Sequence, residues 1–388
     1  MLLPEVLQEE ARAFLGDALN EALVARAPGR VEILGNHTDY NGGSVLAGTI
    51  MYFVWTIGVP SYSDKVDILS TRFEEETSFH PGSLAPTNTN QWSDYVQGIY
   101  WAIQRRRHTP VPIRAVVHGN IPLGAGLSSS AALEVSMVNL VLELSGISLP
   151  AKAKAMLAFE AERLYCSVSC GIMDQFTSQL CKSESVLAIQ CASMQTQDIP
   201  FPEDLSLLIV DTGVSRAAAD ALNQRRTECR TALSQLQDKG WDKRNLSQIA
   251  PRELSDVESV LDGVLLKRVR HIVMENERVR RGIRALEQGD LETLGNLLYE
   301  SHESSRNLYD VSHPNLDLLV EILKHQKGVI GSRLTGAGFG GSVLAVVERE
   351  HVSDVKKHVS EKYLRESGIE PQIIESTIPG GVIVSKYQ

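Results

Sequence analysis

Three consecutive hydroxyls, Ser128, Ser129 and Ser130, follow a loop of Gly124, Ala125, Gly126 and Leu127. The loop's small residues leave its backbone N–H groups open, and an apolar helical pattern (Leu133, Met137, Val138, Val141, Leu144) begins just beyond. Free amides and the positive dipole end at a helix start attract an anion, so the stretch has the makings of a phosphate cradle. It lacks the lysine of a Walker loop and the glycine spacing of a dinucleotide turn. Taken alone, it reads equally well as a small-residue turn before a core helix.

Asp174, in Cys170-Gly171-Ile172-Met173-Asp174-Gln175-Phe176, stands at a predicted helix start, where aspartate is ordinarily a cap. As a base it would accept a hydroxyl proton during phosphoryl transfer. By default Arg30, after Pro28-Gly29, reads as a surface or structural cation and Glu162 as part of a solvated helix face. Gly336 to Gly341 matches G-x-G-x-x-G by letter, but a strand-like run, Ser342 to Val347, follows where a dinucleotide site needs a helix. That makes it a hinge whose backbone lies close either to a nucleotide or to the other domain. His302-Glu303 lacks the second histidine of a zinc protease motif.

The elements that must position these groups alternate between strand and helix. Helices are predicted near Pro4–Ala18, Ser93–Arg106, Ala151–Leu164 and from Met173, and strands at Leu23–Leu34 (broken at Pro28-Gly29), Tyr52–Val59, Val66–Ser70 and Ala115–His118. A turn is expected from Pro81 to Asn90, and a domain boundary between Leu187 and Asp204, where Pro200 and Pro202 interrupt a stretch without helical pattern. Beyond it, a strand at Leu205–Asp211 precedes helices at Ala217–Leu236, Arg252–Leu261, Leu265–Leu286, Leu291–Leu308 and Leu316–His325. Strands follow at Val329–Leu334, Val343–Glu348, Gln372–Ser376 and Val382–Ser385, with a helix at Ser353–Arg365. The fold class is α+β twice, with domains at 1–195 and 203–388.

A chain of 388 residues suits two domains, and 43% apolar with 22% charged residues is ordinary for a globular protein. A net charge of -10 argues against nucleic acid or an anionic membrane as partner. The N-terminus has no basic segment followed by an apolar run, and no stretch of about eighteen apolar residues occurs, so a cytoplasmic protein is expected. Five cysteines without paired C-x-x-C spacing read as buried thiols.

In order along the chain, Ala27-Pro28-Gly29-Arg30-Val31 with His37-Thr38-Asp39-Tyr40-Asn41-Gly42-Gly43, then Pro122 to Leu133, Cys170 to Phe176, and Arg333 to Gly341 resemble the successive signatures of the galactokinase family, within the galactokinase, homoserine, mevalonate and phosphomevalonate kinase superfamily. Trp92 to Gly98, Arg225 to Cys229, and Ser301 to Ser304 with Tyr309 join them. The resemblance implies an ATP-dependent sugar kinase, most simply one making galactose 1-phosphate, with its site in the cleft between two α+β domains. It implies Asp174 as catalytic base and Arg30 as stabiliser of the transferring phosphate. His37, Asp39 and Gly171 would hold the sugar, with Asn36 and Leu222 at two further sugar-contact positions. Gly124, Ala125, Gly126, Leu127, Ser128, Ser129 and Ser130 would hold the ATP phosphates, Trp92 would lie near the adenine, and Ser130 and Glu162 would ligate Mg2+. A sugar and ATP are then the partners of a monomer or weak homo-oligomer.

Three positions depart from the family. Asn36 stands where the family usually has Glu, Leu222 where an aligned Tyr contacts sugar, and Glu32 where Asn is frequent. A kinase of a modified hexose (N-acetylated or uronic) and a non-catalytic sugar sensor are therefore alternatives, although intact Arg30, Ser129-Ser130 and Asp174 speak against the sensor. Asn36→Glu is expected to lower the galactose KM by restoring a charged sugar contact; the rival reading, that Glu32 has already taken over that contact, would raise it instead.

Overall fold

The computed structural model describes residues 3–87, 89, 91–214 and 218–388. The N-terminal helix α1 (Glu5–Leu15) leads to β1 (Leu23–Leu34), β2 (Ser44–Pro60), β3 (Val66–Ser70), β4 (Glu75–Phe79), α2 (Trp92–Arg105), β5 (Ile113–Gly119), α3 (Ser129–Leu144), α4 (Ala151–Glu160), α5 (Met173–Leu180) and a hairpin of β6 (Ser185–Gln190) and β7 (Gln195–Pro200). Then come β8 (Leu205–Asp211), α6 (Ala218–Asp238), α7 (Leu254–Glu258), α8 (Gly263–Gln288), α9 (Leu291–Ser304), α10 (Pro314–Lys324), β9 (Val329–Thr335), β10 (Ser342–Glu348), α11 (Val352–Ser367), β11 (Gln372–Ser376) and β12 (Ile383–Lys386). No described helix is long and apolar enough to cross a membrane.

The first sheet has the order β12-β1-β2-β5-β3-β4, with β6 also on β2 and β7 on β6. All its pairs are antiparallel except β3 with β5. At 17 residues β2 can serve several partners, pairing β6 through Ser44–Ala47 and β5 through Val54–Pro60. The second sheet, β11-β8-β10-β9, is wholly antiparallel. This is the expected α+β architecture.

Helix α3 is buried at every position from Ala131 to Leu142, polar Glu134, Ser136 and Asn139 included, and it packs on β1 and β2. The principal core joins these elements to Val279 and Leu286 of α8, Leu297 of α9 and Leu344 of β10, so the two halves share apolar packing. The Pro28-Gly29 break proves to be a register shift inside one continuous β1. A bulge of this kind bends a strand and re-aims its side chains, here Arg30.

The stretch expected to be a boundary is the β6–β7 hairpin, so residue 195 falls where β7 begins. Residues 383–386, from the expected second domain, return to pair with β1 of the first sheet. Leu291–Leu308 is α9 followed by a π turn at Ser305–Tyr309, and Ala151–Leu164 likewise ends in a π turn at Ala161–Tyr165. Of the expected turn, Asn88 and Asn90 lie outside the described residues, as does Ala217 at the expected start of α6.

Candidate active site

The serine loop, Arg30 and Asp174 meet on the first sheet. Gly29 lets them do so: a Cβ there would stand 2.6 Å from the Leu127 carbonyl, to which the Arg30 amide donates at 3.2 Å. Arg30 forks onto Asp174, Nε to Oδ1 at 2.7 Å and Nη2 to Oδ2 at 2.6 Å, and its Nη1 donates to the Gly126 carbonyl at 2.7 Å. Planar bidentate pairing of this kind is strong and fixes geometry. Ser128, left-handed at φ 58 before α3, donates through Oγ to Asp174 Oδ2 at 2.5 Å. Asp174 is therefore not a helix cap, since α5 carries no side-chain cap bond and the carboxylate is turned toward Arg30.

No acidic residue occupies the first turn of α3, which leaves its amide end open to an anion. Ser130 Oγ donates to Glu162 Oε1 at 3.0 Å. Glu162 is buried rather than on a solvated face, held within the π turn, where the extra residue redirects a side chain. Gln175 Nε2 bridges Glu162 Oε2 at 2.5 Å and Glu134 Oε2 at 3.0 Å. Burial, then the Asp174 charge, raises Glu162 above the usual carboxylate range; burial, then Glu162, raises Glu134 well above it.

A cleft of about 730 Å³ takes in Arg30, Asp174 and Ser128 to Ser130 and is closed from the second half by Asp211, Gly213, Val214, Gly336 and Ala337. Of the two readings of the glycine hinge, the approach to the other half of the chain is seen directly, the Gly336 carbonyl accepting from Asn36 Nδ2 at 3.0 Å, and Gly336 and Ala337 also line the cleft. Beside the cleft, and sharing Leu123, Ser129 and Ser130 with it, a mainly apolar pocket of about 210 Å³ is lined by Trp92, Phe73, Tyr95 and Arg72. The Trp92 and Phe73 rings stack at 6.3 Å and 13°, and Trp92 Nε1 donates to Glu75 at 2.8 Å. Flat aromatic walls suit a planar heterocycle.

On the other side of Asp174 lies the Gly35–Gly43 loop. His37, left-handed at φ 62, stacks on Tyr309 at 4.7 Å, with Nδ1 2.9 Å from the Tyr40 hydroxyl. Burial, reinforced by the His271, Arg333 and Arg226 charges, pushes His37 well below the usual imidazole range, so it is neutral. Asp39 is raised to about 6, by burial first and then by the Glu32 and Asp174 carboxylates, against the pull of the Tyr40 amide. A Cβ on Gly171 would overlap the Asp39 carboxylate, which explains the glycine and puts these two expected sugar-side residues in contact.

Two further expected sugar-side residues are Asn36 and Leu222. Asn36 is buried and its amide is committed: Nδ2 donates to Glu32 Oε1 at 3.2 Å and to the Gly336 carbonyl at 3.0 Å, and Oδ1 accepts from Ser305 Oγ at 3.0 Å. Both amide hydrogens are used, which leaves no donor for a ligand. Leu222 is half-buried on α6 and, like His37, Asp39 and Gly171, does not line the cleft.

The sequence reading missed Ser128 as a partner of Asp174, Phe73 and Tyr95 beside Trp92, and above all Glu275. Its Oε1 accepts from the amides of Gly35 at 3.0 Å and Asn36 at 3.2 Å and from Ser301 Oγ at 2.6 Å. Tyr95 stood within the matched Trp92–Gly98 stretch; for Glu275, 240 residues from Gly35, no local signal exists.

Comparison with known proteins follows the same geography. Residues 12–59 match the galactokinase galactose-binding signature, 94–182 the GHMP kinases N terminal domain and 283–365 the GHMP kinases C terminal domain. The chain is 34% identical over 354 residues to the galactokinase of Thermotoga maritima (89% of this chain, 95% of that one) and 36% identical over 360 residues to that of Thermosipho africanus (92% and 98%). Among solved structures, the Lactococcus lactis galactokinase complexed with galactose superposes with a TM-score of 0.92 at 30% identity, covering 97% of this chain and 98% of that one. A mevalonate kinase, at 16% identity, TM-score 0.66 and coverage of 92% and 99%, shares the fold.

Proposed function

The chain belongs to the galactokinase family of GHMP kinases, and from that premise we propose that it transfers the γ-phosphoryl group of ATP to galactose, giving galactose 1-phosphate and ADP. The observation that carries this reading is the Arg30–Asp174 fork at the open end of α3, within a cleft lined from both halves of the chain.

Phosphoryl transfer asks for positioning and charge neutralisation more than covalent help. Asp174 accepts the proton of the sugar's anomeric hydroxyl as that oxygen bonds to the γ-phosphorus, and the bond from phosphorus to the ADP oxygen breaks. The Arg30 fork and Ser128 hold the carboxylate still, while its partial exposure leaves a lone pair for the incoming hydroxyl. Arg30 also faces the region where negative charge moves in the transition state. The Ser128–Ser130 end of α3 receives the ATP phosphates, and the Trp92–Phe73 pocket receives the adenine. Asp39, positioned against Gly171, accepts from sugar hydroxyls, and neutral His37 completes that wall. Asn36 acts by holding Glu32 and Gly336 together rather than by touching the sugar.

The donor set fits magnesium: the Ser130 hydroxyl and the Glu162 carboxyl, 3.0 Å apart, offer hard oxygens, and a cation there would favour the ionised Glu162 that burial and the Asp174 charge disfavour. Ser130 and Glu162 would hold Mg2+, which supplies charge neutralisation on the nucleotide phosphates.

A coupled ADP-release assay across a panel of hexoses tests the proposal. Galactose should support the fastest turnover. ADP release only with an N-acetylated or uronic sugar would reassign the substrate, and none with any hexose would leave a sugar-binding protein without turnover.

A further inference from the structure

A second cavity, of about 690 Å³, lies along α8 and α9 and shares no lining residue with the catalytic cleft. Cations from two helices enter it: Arg278 and Arg281 from α8, and Lys324 from α10. Its two acids are already engaged, Glu303 by Arg306 at 2.8 Å and Asn307 at 2.9 Å, and Glu300 by Arg281 at 3.8 Å. Arg278 is less satisfied. Its side chain is only 7% exposed, Nε donates to Glu275 Oε2 at 2.7 Å, and Nη2 has no hydrogen-bond partner. A buried guanidinium N–H without an acceptor is costly, and phosphate oxygens match its fork.

We infer that this cavity is a regulatory site for a small phosphate-bearing metabolite, read by Arg278, Arg281 and Lys324 and coupled through Glu275 to the Gly35–Asn36 loop. The coupling path is short. Arg278 balances Glu275, and Glu275 anchors the two loop amides that precede His37 and Asp39. An anion on Arg278 draws charge balance away from Glu275, so the anchored loop and the bound anion oppose each other. Phosphate therefore weakens galactose binding, and galactose weakens phosphate binding by the same factor. The loop's role in holding galactose rests on the function proposed above.

The test is calorimetry on the full chain saturated with the magnesium complex of a non-hydrolysable ATP analogue, whose γ-phosphate position keeps inorganic phosphate out of the α3 site. Inorganic phosphate should bind once per chain, and Arg281→Ala/Lys324→Ala should weaken it by about tenfold, the loss of roughly one charge-assisted contact. This arm uses no sugar, so it stands whether or not galactose is the substrate. In a second arm, phosphate should raise the galactose Kd of the wild type and leave that of the double variant unchanged. Both altered side chains are substantially exposed and clear of the catalytic cleft. Sugar 1-phosphate and inorganic phosphate, each titrated against protein filled with galactose and the same nucleotide, separate sources: tighter binding of the sugar 1-phosphate assigns the cavity to a phosphosugar, weaker binding to free phosphate. Absence of phosphate binding, equal binding by the double variant, or a galactose Kd indifferent to phosphate would overturn the inference.

Discussion

Two arginine–carboxylate pairs, built from the same chemistry, end in opposite roles. Asp174 with Arg30 sits at the cleft, its side chain 23% exposed, and its other protein bond comes from a single hydroxyl, Ser128. Glu275 with Arg278 is 0% exposed, and its two oxygens accept from two amides, a hydroxyl and the guanidinium. Burial drives Glu275 upward, but Arg278, Arg333 and His271 outweigh it and hold the carboxyl well below its usual range. A carboxylate that is wholly buried and accepts four hydrogen bonds inside the protein is out of reach of a substrate proton. The pair open to the cleft is the one available for chemistry, and the closed pair carries the loop.

The sharpest way to break this contrast is Asp174→Asn. Turnover should fall by roughly 10²–10⁴, as for loss of a general base, while calorimetry finds ATP and galactose binding nearly intact. A variant turning over near the wild-type rate would remove Asp174 from the chemistry.

Glu275→Gln should do the reverse. Leaving Arg278 without its buried partner is expected to cost about 3–5 kcal/mol of stability, read by denaturant unfolding, together with a raised galactose KM as the Gly35 and Asn36 amides lose their anchor. If kcat collapsed while stability held, the two pairs would have exchanged roles.

Asn36→Glu sharpens the boundary between them. The new carboxylate would face Glu32 Oε1 and the Gly336 carbonyl, both acceptors now served by the Asn36 amide. A loss on the order of 1–3 kcal/mol in stability and a higher galactose KM are expected, as for a buried hydrogen bond removed. Adding Glu32→Asn should recover much of both, a non-additivity diagnostic of contact. A lower galactose KM in the single variant would show that a carboxylate at this position reaches the sugar after all.

The mildest effect is one of pH. With Asp39 raised to about 6, its carboxylate takes up a proton as pH falls through that value and loses its acceptor character, so the galactose KM should be flat above pH 6 and rise below it. The stability sign is opposite. The folded state holds this proton more tightly than the unfolded chain, whose reference is 3.8, so Asp39's contribution is full at acid pH and fades as pH rises from 3.8 to about 6. An acid-side KM rise that survived in Asp39→Asn would assign the titration to another group.

Most helices and central strands were legible because their apolar residues recur at helical spacing or in dense β-branched runs, as in α3 and β10. The β6–β7 hairpin was not. The second strand, Gln-Thr-Gln-Asp-Ile-Pro, is polar and ends in proline, which reads as linker until a neighbouring strand supplies its partner. The charged strand β4 was missed on the same grounds, and Glu75 in it turns out to hold Trp92. The π turns escaped because one extra residue in a helical turn leaves no periodic trace, yet they carry Glu162 and Tyr309.

By itself the sequence determined the chemistry on offer: a glycine-serine loop before a helix, a lone Asp at the start of a later helix, an arginine after Pro-Gly, and a second glycine loop that could not be a dinucleotide turn. Those are local facts, set by residue type and near spacing. Only the tertiary structure decided which of these groups share an environment. It turned Asp174 from a cap into the partner of Arg30, closed Asn36 into a network with Glu32, Ser305 and Gly336, and sent β12 back to the first sheet. Hydrogen-bond commitment and burial belong to neighbours hundreds of residues away, and a side chain's role depends on the lone pairs and protons that those neighbours leave free.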